Sequence, residues 1–486
     1  MVTILEEHGL FWWHDEPLSD RQLAPEAHVA GLCTIENNGR ITLELDGYLP
    51  GPHGPMAAMS GPMPTNKCTQ GILKGAGQRI LFIDLIRSGG RFSTNSLSFE
   101  NFVAMQCLIG SDPFPNQTEA LTFDALAVPL EGYEEWLRLG SIDVSRSEDK
   151  VSVIYEKPNN IVFAVAGGTL SIEYDAKENA SGFFRSYELS LKQTASIKFR
   201  LTGGLKLDGL ISQYGLLEDL LKLLTGSDYH LDWPSVSLGD KATYRWYGFR
   251  HRSEETIAAP RHYNTVTNFL QLRDKFGAIW SRWIAKREEF GPGIYLYLGT
   301  RRGVTLYAEH RFVNLIWGIE AFHRKKYVAA KSAALSAKIK RIVEQVGGAK
   351  DKSWLRNKLK NAHEPPLDQR IFDVLKTLPL DLEETRLHLF SKACAKARND
   401  ISHFGGLRHA SPYAEFIRDL EQKSTALSTL YHALLLHELE IDASILKHWI
   451  YEGFNSYPIK RHFVDAGLLD ESVLTPAALP TNPRPA

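Results

Sequence analysis

The sequence predicts an α+β protein in which a β-rich, sandwich- or barrel-like N-terminal domain precedes an all-α helical bundle. Its 486 residues are about three times the length of a typical domain. Short alternating runs rich in β-branched and aromatic residues continue to about residue 205, and leucines at helical spacing follow. The 43% hydrophobic and 23% charged residues are typical of a folded globular protein and exclude disordered and fibrous classes.

The N-terminal domain, expected over residues 1–235, opens with a hairpin signal. Two runs, GLCTI and RITLEL, flank residues 36–39, whose Asn-Gly step suits a tight turn. Further runs such as KVSVIYE, NIVFAVA and SIKFRL bring the total to about ten strands, which is typical of a sandwich or a barrel. The Gly/Pro-rich stretch 51–64 does not alternate, so we expect a mobile loop, and it lacks the residue order of a P-loop.

The pattern becomes helical after residue 205. A mostly helical connector is expected over residues 236–300, with a helix from Val266 to Phe290 that stops at a Gly-Pro-Gly sequence. Residues 456–486 are expected to form a Pro-rich tail, disordered at its end. Between these, residues 301–455 predict an up-and-down bundle, with helices over about 304–327, 332–346, 367–378, 382–403, 411–440 and 442–454.

Charge and cysteine content limit the compartment and the partners. The 56 basic and 57 acidic residues give a net charge of −1, so the whole molecule has no strong field toward nucleic acid or lipid. Four cysteines lie far apart without metal-ligand spacing, which indicates a reduced, cytoplasmic protein without a metal or cofactor. The N-terminus does not resemble a secretory signal and no apolar run reaches about eighteen residues, so no membrane partner is expected.

The residues best suited to chemistry lie at the end of the helix predicted over 382–403. Arg398 and Asn399 precede His403 in the order Arg-Asn-Asp-Ile-Ser-His, and the following Phe-Gly-Gly ends the helix. Asn399 and His403 are four residues apart and share a face, with Arg398 about 100° round the helix. An imidazole beside a guanidinium suits metal-free cleavage of an RNA phosphodiester, which leaves a 2′,3′-cyclic phosphate and a 5′-hydroxyl.

A purely structural interpretation of these residues is open as well. Cations at a helix C-terminus are favoured by the helix dipole. Arg followed by His at similar spacing also occurs at Arg21/His28, Arg245/His251 and Arg356/His363. The amide directly after Arg398, the position at a helix end and the all-helical surroundings favour the catalytic interpretation.

An Arg-Asn-x-x-x-His sequence late in a C-terminal helical bundle resembles the HEPN superfamily of ribonucleases. The segment from Arg311 to His323, in which Glu320 follows apolar turns, is similar to the first core helix of such domains. The N-terminal region, with GLFWW at residues 9–13 and GLCTI, ITLEL, LTFD and YEEW after it, is similar to the N-terminal domain of ApeA-type anti-phage proteins. The similarity in architecture covers nearly the whole chain.

The resemblance implies a toxin-like RNase of bacterial anti-phage defence, which halts growth of the infected cell by cutting cellular RNA, with transfer RNA as a substrate by analogy. It also implies a phage-derived trigger and a homodimer or higher homo-oligomer with a shared cleft. Arg398 would hold the phosphate, His403 would do acid–base work and Asn399 would orient one of them. Glu320 and Asp400 are candidate supporting residues.

A strongly basic segment runs from residue 324 to residue 360. It holds twelve Lys or Arg and two acidic residues, a net charge of +10. Such a concentration of charge is what binding to a phosphate backbone needs, whereas the alternative is a solvated helical face. The candidate RNA-binding residues are Arg324, Lys325, Lys326, Lys338, Lys340 and Arg341.

Two other functions stay open on the sequence alone. A degenerate bundle would hold RNA or a nucleotide without cleaving it, while the β-domain binds a phage component. A carbohydrate-processing enzyme has only the strand count and scattered carboxylates in its favour. Glu320 and His323, three residues apart, could form an acid–base or metal pair, but no second ligand pair is visible and a helix-surface pair is the favoured interpretation.

Overall fold

A computed structural model divides the chain into two compact units. One comprises Met1–Glu218 with Tyr229–Ala259, and the other comprises Asp219–Asp228 with Pro260–Ala486. The Gly/Pro-rich stretch 51–64 and the end of the tail, from residue 475 on, lie outside the described residues. The described residues are 2–16, 18, 22–49, 68–75, 77–93, 95–115, 121–180, 189–239, 242–248, 257–301, 306–327, 333–359, 364–404 and 412–474.

The described strands all belong to the first unit and all pair antiparallel. They are β1 (Thr3–Trp13), β2 (Val29–Glu36), β3 (Ile41–Leu45), β4 (Thr69–Leu73), β5 (Arg79–Arg91), β6 (Phe99–Gly110), β7 (Phe123–Pro129), β8 (Ile142–Ser147), β9 (Lys150–Tyr155), β10 (Ile161–Val165), β11 (Gly168–Ala180), β12 (Leu189–Leu205), β13 (Ser235–Leu238) and β14 (Ala242–Gly248). A 12-stranded sheet has the order β10-β11-β12-β7-β13-β14-β6-β3-β2-β1-β4-β5, and β8-β9 is a separate hairpin. Because β5 also pairs with β6, the last six strands of that order close into a barrel.

The barrel encloses an apolar core because residue types alternate along its strands. In β3, Ile41, Leu43 and Leu45 point inward and are buried, whereas the two residues between them are polar. The ring of Phe11 lies against Gly71, where a Cβ atom would be 2.4 Å from it. Closure pairs each barrel strand on both sides and removes an exposed edge. The β-rich, barrel-like N-terminal domain predicted from the sequence is thus confirmed.

Strands β13 and β14 lie at the start of the segment expected to be a mostly helical connector. In β14, Tyr244 and Trp246 are buried, and the strand pairs with β13 on one side and β6 on the other. The β-rich unit therefore continues to residue 259, and helices of the second unit follow from Phe269. Buried aromatic residues alternate over a few positions of β14 and fill one face of the sheet. This local pattern outweighs the helical pattern around it, so the segment forms a strand.

The α-helices within the described residues are α1 (Glu134–Leu137), α2 (Leu207–Thr225), α3 (Phe269–Leu272), α4 (Phe276–Phe290), α5 (Pro292–Gly299), α6 (Ala308–Lys326), α7 (Ala333–Gln345), α8 (Ala349–Lys358), α9 (Leu367–Leu375), α10 (Glu384–Phe404), α11 (Tyr413–Glu438), α12 (Ala443–Lys447) and α13 (Ser456–Asp465). The predicted all-α region is confirmed, and α13 lies in the segment expected to be a tail. None of the described helices is both long and apolar enough to cross a membrane.

The helix predicted from Val266 to Phe290 is divided in two. It begins at Phe269, behind a capping box in which Asn268 and Gln271 exchange hydrogen bonds of 3.0 and 3.1 Å. A 3₁₀ turn, Arg273–Lys275, then separates α3 from α4. The cap satisfies backbone groups that would otherwise lack partners at the helix start.

Helices α5, α6 and α11 pack closely around one glycine. A Cβ atom at Gly318 of α6 would lie 2.6 Å from the hydroxyl oxygen of Tyr431, which is fully buried on α11. The Tyr431 hydroxyl donates a hydrogen bond to the carbonyl oxygen of Gly293 on α5. Gly318 therefore lets α6 approach α11, and the tyrosine joins both to α5.

A buried polar network holds the segment Asp219–Asp228 within the helical unit. His432 Nε2 donates to the carbonyl oxygen of Leu223 at 2.7 Å, so Nδ1 is the acceptor for the Tyr297 hydroxyl at 2.7 Å and Arg301 Nη1 at 2.9 Å. Arg301 also donates to Asp228 Oδ1 at 2.8 Å. Burial, with Arg301 nearby, lowers the pKa of His432 to about 3, so the imidazole stays neutral in the folded protein.

We expect this histidine to make the stability of the helical unit depend on pH. Between pH 6.5 and about 3 the unfolded chain binds a proton at His432 that the folded chain does not, so the free energy of unfolding falls as the pH is lowered, by up to about 1.4 kcal/mol per pH unit. Urea unfolding at pH 7, 6 and 5 should show a smaller decrease in His432→Gln than in the wild type. The exposed His448→Gln is the control, and equal slopes in His432→Gln and the wild type would contradict the assignment.

Candidate active site

Helix α10 carries the Arg-Asn-x-x-x-His motif on its last two turns and remains helical to Phe404. Asp400 lies on the buried side of the helix, whereas Asn399 and His403 are exposed. The helix is anchored because its buried apolar residues recur every three or four positions: Leu387, Phe390, Cys394 and Ala397. This stripe turns Asn399 and His403 outward on one face.

Arg398 has the best-defined surroundings of the motif residues. Its Nη1 donates to Oδ1 of Asn399 at 3.1 Å, and its Nη2 lies 3.7 Å from Oε2 of Glu320. Its Nε is buried and has no hydrogen-bond partner within the described part of the chain. A buried donor without a partner costs about 1–3 kcal/mol, which an anionic oxygen placed there would recover.

Glu320 on α6 gathers the guanidinium groups of three arginines. Its Oε1 accepts hydrogen bonds from Arg370 Nη1 at 2.7 Å and Arg324 Nη2 at 2.9 Å, while its Oε2 faces Arg398. Glu364 binds two of the same arginines, Arg370 at 2.7 Å and Arg324 at 3.3 Å. We call these five residues the Arg/Glu cluster. It joins α6, α9 and α10 and has a net charge of +1.

Arg370 and Glu364 complete this cluster, but neither was predicted from the sequence as a site residue. Arg370 is 9% exposed and also donates to the carbonyl oxygen of Pro365 at 2.7 Å. A signal was present, since Arg370 lies one residue before Ile371 and four before Val374, on the apolar face of the amphipathic helix α9. A charged residue on a buried face indicates a buried partner of opposite charge.

His323 has a partner different from that of Glu320. Its Nε2 lies 3.7 Å from Oδ2 of Asp373, which also forms an ion pair of 2.9 Å with Lys376. Burial lowers the pKa of His323, although Asp373 opposes this effect. The two members of the acid–base pair considered from the sequence thus have separate roles. Across the described ranges, no three His, Cys, Asp or Glu side chains converge as a metal site would require.

The candidate RNA-binding residues fall into two groups. Arg324 belongs to the Arg/Glu cluster, and Lys326 forms an ion pair with Glu438. Lys325 on α6 and the residues of α7 (Lys338, Lys340 and Arg341) are exposed, and no ion pair is found for them among the residues that the structure describes. The charges of the second group are therefore available to a ligand.

Arg398 and His403 leave α10 on different sides of the helix. Arg398 and His403 are five residues apart on a continuous helix, which separates their backbone positions by about 7.5 Å along its axis. Since each residue turns the helix by about 100°, the two side chains leave it about 140° apart around the axis. The arrangement combines a donor for phosphate, an exposed imidazole for proton transfer and a local excess of positive charge.

Two family models together match most of the chain. A family model described as ApeA N-terminal domain 1 matches residues 6–283, more than half of the chain. A second, described as Apea-like HEPN, matches residues 313–445, which include the whole Arg/Glu cluster and the motif on α10. No curated protein and no solved structure matches the chain.

We expect Glu320 to stabilise the bundle more than an exposed ion pair does. Glu320→Gln removes the charge shared by Arg370 and Arg398, and breaking a buried pair of this kind costs about 3 kcal/mol in the free energy of unfolding. The control is Arg324→Ala, whose side chain is 52% exposed and should cost less than about 1 kcal/mol. Urea unfolding followed by circular dichroism measures both, and equal losses would contradict a central role of Glu320.

Proposed function

We propose that this chain, which belongs to the family of ApeA N-terminal domain 1, is a metal-independent endoribonuclease of bacterial defence. An Apea-like HEPN domain follows the N-terminal domain, as in nuclease-type anti-phage proteins. It cuts cellular RNA, with transfer RNA as one substrate, in the cytoplasm of an infected cell. Cleavage stops growth before the phage multiplies. The N-terminal domain receives a phage-derived trigger and restrains the nuclease until then.

The buried Nε of Arg398, which has no hydrogen-bond partner among the described residues, is the observation that carries this proposal. Its pairing with Glu320 is long, at 3.7 Å, so the guanidinium can turn its donors to a phosphate without losing a short hydrogen bond to a carboxylate. Two adjacent nitrogens of a guanidinium match two oxygens of one phosphate. Arg398 therefore binds the scissile phosphate and stabilises the charge that builds on it during attack.

His403 performs the proton transfers of this reaction. The imidazole takes the proton of the ribose 2′-OH, the 2′-oxygen bonds to phosphorus, and the bond to the 5′-oxygen breaks as the imidazolium gives that proton to the 5′-oxygen. The products are a 2′,3′-cyclic phosphate and a 5′-hydroxyl, and no water is consumed. Asn399 accepts a hydrogen bond from Arg398 at 3.1 Å and so orients the guanidinium.

We expect His403→Ala to fold normally, because His403 is exposed, and to lose RNA cleavage by about 100-fold or more. Purified wild type and variant are incubated with total bacterial RNA in EDTA, and the ends of the fragments are analysed. His448→Ala, an exposed histidine outside the motif, is the matched control and should cut like the wild type.

Three outcomes of this experiment differ in meaning. Wild-type fragments with cyclic phosphate and 5′-hydroxyl ends, absent from His403→Ala, support the mechanism. Full cleavage by His403→Ala, or 5′-phosphate ends, contradicts it. If neither protein cuts RNA, the assay is repeated with extract of infected cells to supply the trigger. Absence of RNA cleavage in the repeated assay favours a binding protein.

We also expect the active site to be shared between two chains. Light scattering should show a dimer at micromolar concentration, and a monomer would require each chain to act alone. Mixing Arg398→Ala with His403→Ala tests the sharing directly. If each site takes Arg398 from one chain and His403 from the other, a mixed dimer keeps one intact site, and random exchange restores about a quarter of the wild-type rate. No recovery would place both residues of a site in one chain.

A non-catalytic RNA- or nucleotide-binding defence protein is the second candidate. The exposed charges of Lys338, Lys340 and Arg341, for which no ion pair is found in the described ranges, favour it, because they suit binding and are not needed for proton transfer. A groove of about 380 Å³ on the β-rich unit, lined by Lys177, Lys192, Glu173 and Asp175 among others, offers a surface for a trigger of mixed charge. In this case charge reversal at Lys338–Arg341 abolishes RNA binding, and the wild type cuts no RNA under any condition.

A further inference from the structure

Helix α8 carries an exposed aromatic side chain between two lysines. The helix buries none of its side chains, and Trp354 is 62% exposed. Lys350 and Lys358 lie four residues to either side of Trp354, and both are exposed. Because residues four apart are neighbours on one helix face, with Cβ atoms about 5–6 Å apart, the indole is flanked by two ammonium groups.

We propose that Lys350, Trp354 and Lys358 form a binding site for unpaired RNA nucleotides. The indole stacks on one base, and the two ammonium groups bind the phosphates on either side of that nucleotide. This inference rests on the proposed function and deepens it, since it states which part of the RNA the protein recognises. A nucleotide in a loop, a bulge or a single-stranded end can reach Trp354, whereas a base stacked in a duplex cannot.

The charges around Trp354 are suited to a polyanion. Residues 333–359, which form α7 and α8, contain seven basic residues and the acidic Glu344 and Asp351. No ion pair is found for any of the seven within the described chain, in contrast to Arg324 and Lys326 on α6. Asp351 lies in the first turn of α8, where the helix dipole favours a carboxylate. The positive charge of the two helices is thus left for a partner.

The ring of Trp354, like the charges around it, is accessible to a ligand. No other aromatic ring and no cation is found over it among the described side chains, although several other exposed rings, such as Tyr263 and Tyr295, have such partners. A single exposed aromatic residue is common on protein surfaces and needs no function. An unpartnered indole with a lysine one turn away on each side is what stacking on a base and holding its phosphates requires.

The test measures RNA binding by the full chain in the His403→Ala background, which keeps the probe intact under the proposed mechanism. The probe is a fluorescent oligoribonucleotide of about twelve nucleotides, used alone and paired with its complement. Trp354→Ala should weaken binding of the single strand by about 5- to 150-fold and leave binding of the duplex unchanged. Trp354→Phe, which keeps a ring, should lose less.

The lysines are tested by a double variant, Lys350→Ala with Lys358→Ala. It should weaken binding of both probes and, for the single strand, reduce the slope of log affinity against log salt by about 1.4, because two phosphate contacts are removed. Tyr457→Ala is the matched control for aromatic truncation, since Tyr457 is 58% exposed, and it should bind like the parent. Circular dichroism verifies that each variant is folded.

The inference is overturned if Trp354→Ala binds the single strand as well as Tyr457→Ala does, or if it loses the single strand and the duplex equally. Its failure is distinct from that of the nuclease. Cleavage by the wild type together with unchanged binding by Trp354→Ala would overturn this site alone. Binding that depends on Trp354 without any cleavage by the wild type would overturn the nuclease and support the site.

Discussion

The carboxylate of Glu320 is the interaction on which the helical unit and its site depend. Arg324, Arg370 and Arg398 come from three different helices, and their like charges would repel each other in a partly buried region. Glu320 converts that repulsion into shared ion pairs, and Glu364 completes them for Arg370. Helices α6, α9 and α10 are therefore held together at the point where the Arg-Asn-x-x-x-His motif begins.

The arginines of the Arg/Glu cluster differ in how tightly they are bound. This difference distinguishes an arginine that stabilises the fold from one that is proposed to bind the substrate. Arg370 has three short contacts, to Glu320, Glu364 and the carbonyl oxygen of Pro365, all at 2.7 Å. Arg398 has one long contact to Glu320 and a buried Nε without a described partner. Arg370 thus stabilises the packing of the helices. Arg398 is oriented by its contacts to Asn399 and Glu320 but can still bind an anion. The surplus positive charge of the cluster favours that anion.

Local patterns in the sequence predicted the local parts of the structure. The alternating strands, the helix that carries Arg398 and His403, and the all-α region all follow from periodicity and stop signals that lie within a few residues. Closure of the barrel by β5 and β6, and the meeting of Arg370 with Glu320, join residues far apart in the chain, so no local pattern encodes them. For the same reason Arg324 looked like a free RNA-binding residue, although Glu320 and Glu364 neutralise it.

The distribution of charge is compatible with the proposed binding of RNA by a nearly neutral chain. With a net charge of −1, the molecule attracts no polyanion from a distance, and salt screens surface charges beyond about 10 Å. Attraction can still act close to α7 and α8, because no ion pair is found for their basic residues within the described chain. In the proposed site, an RNA held there by its phosphates would be selected further by an unpaired base that stacks on Trp354, so affinity and selectivity would come from neighbouring side chains. In the proposed nuclease, the charges of α7 and α8 would add binding energy to that supplied by the surplus positive charge of the Arg/Glu cluster beside Arg398.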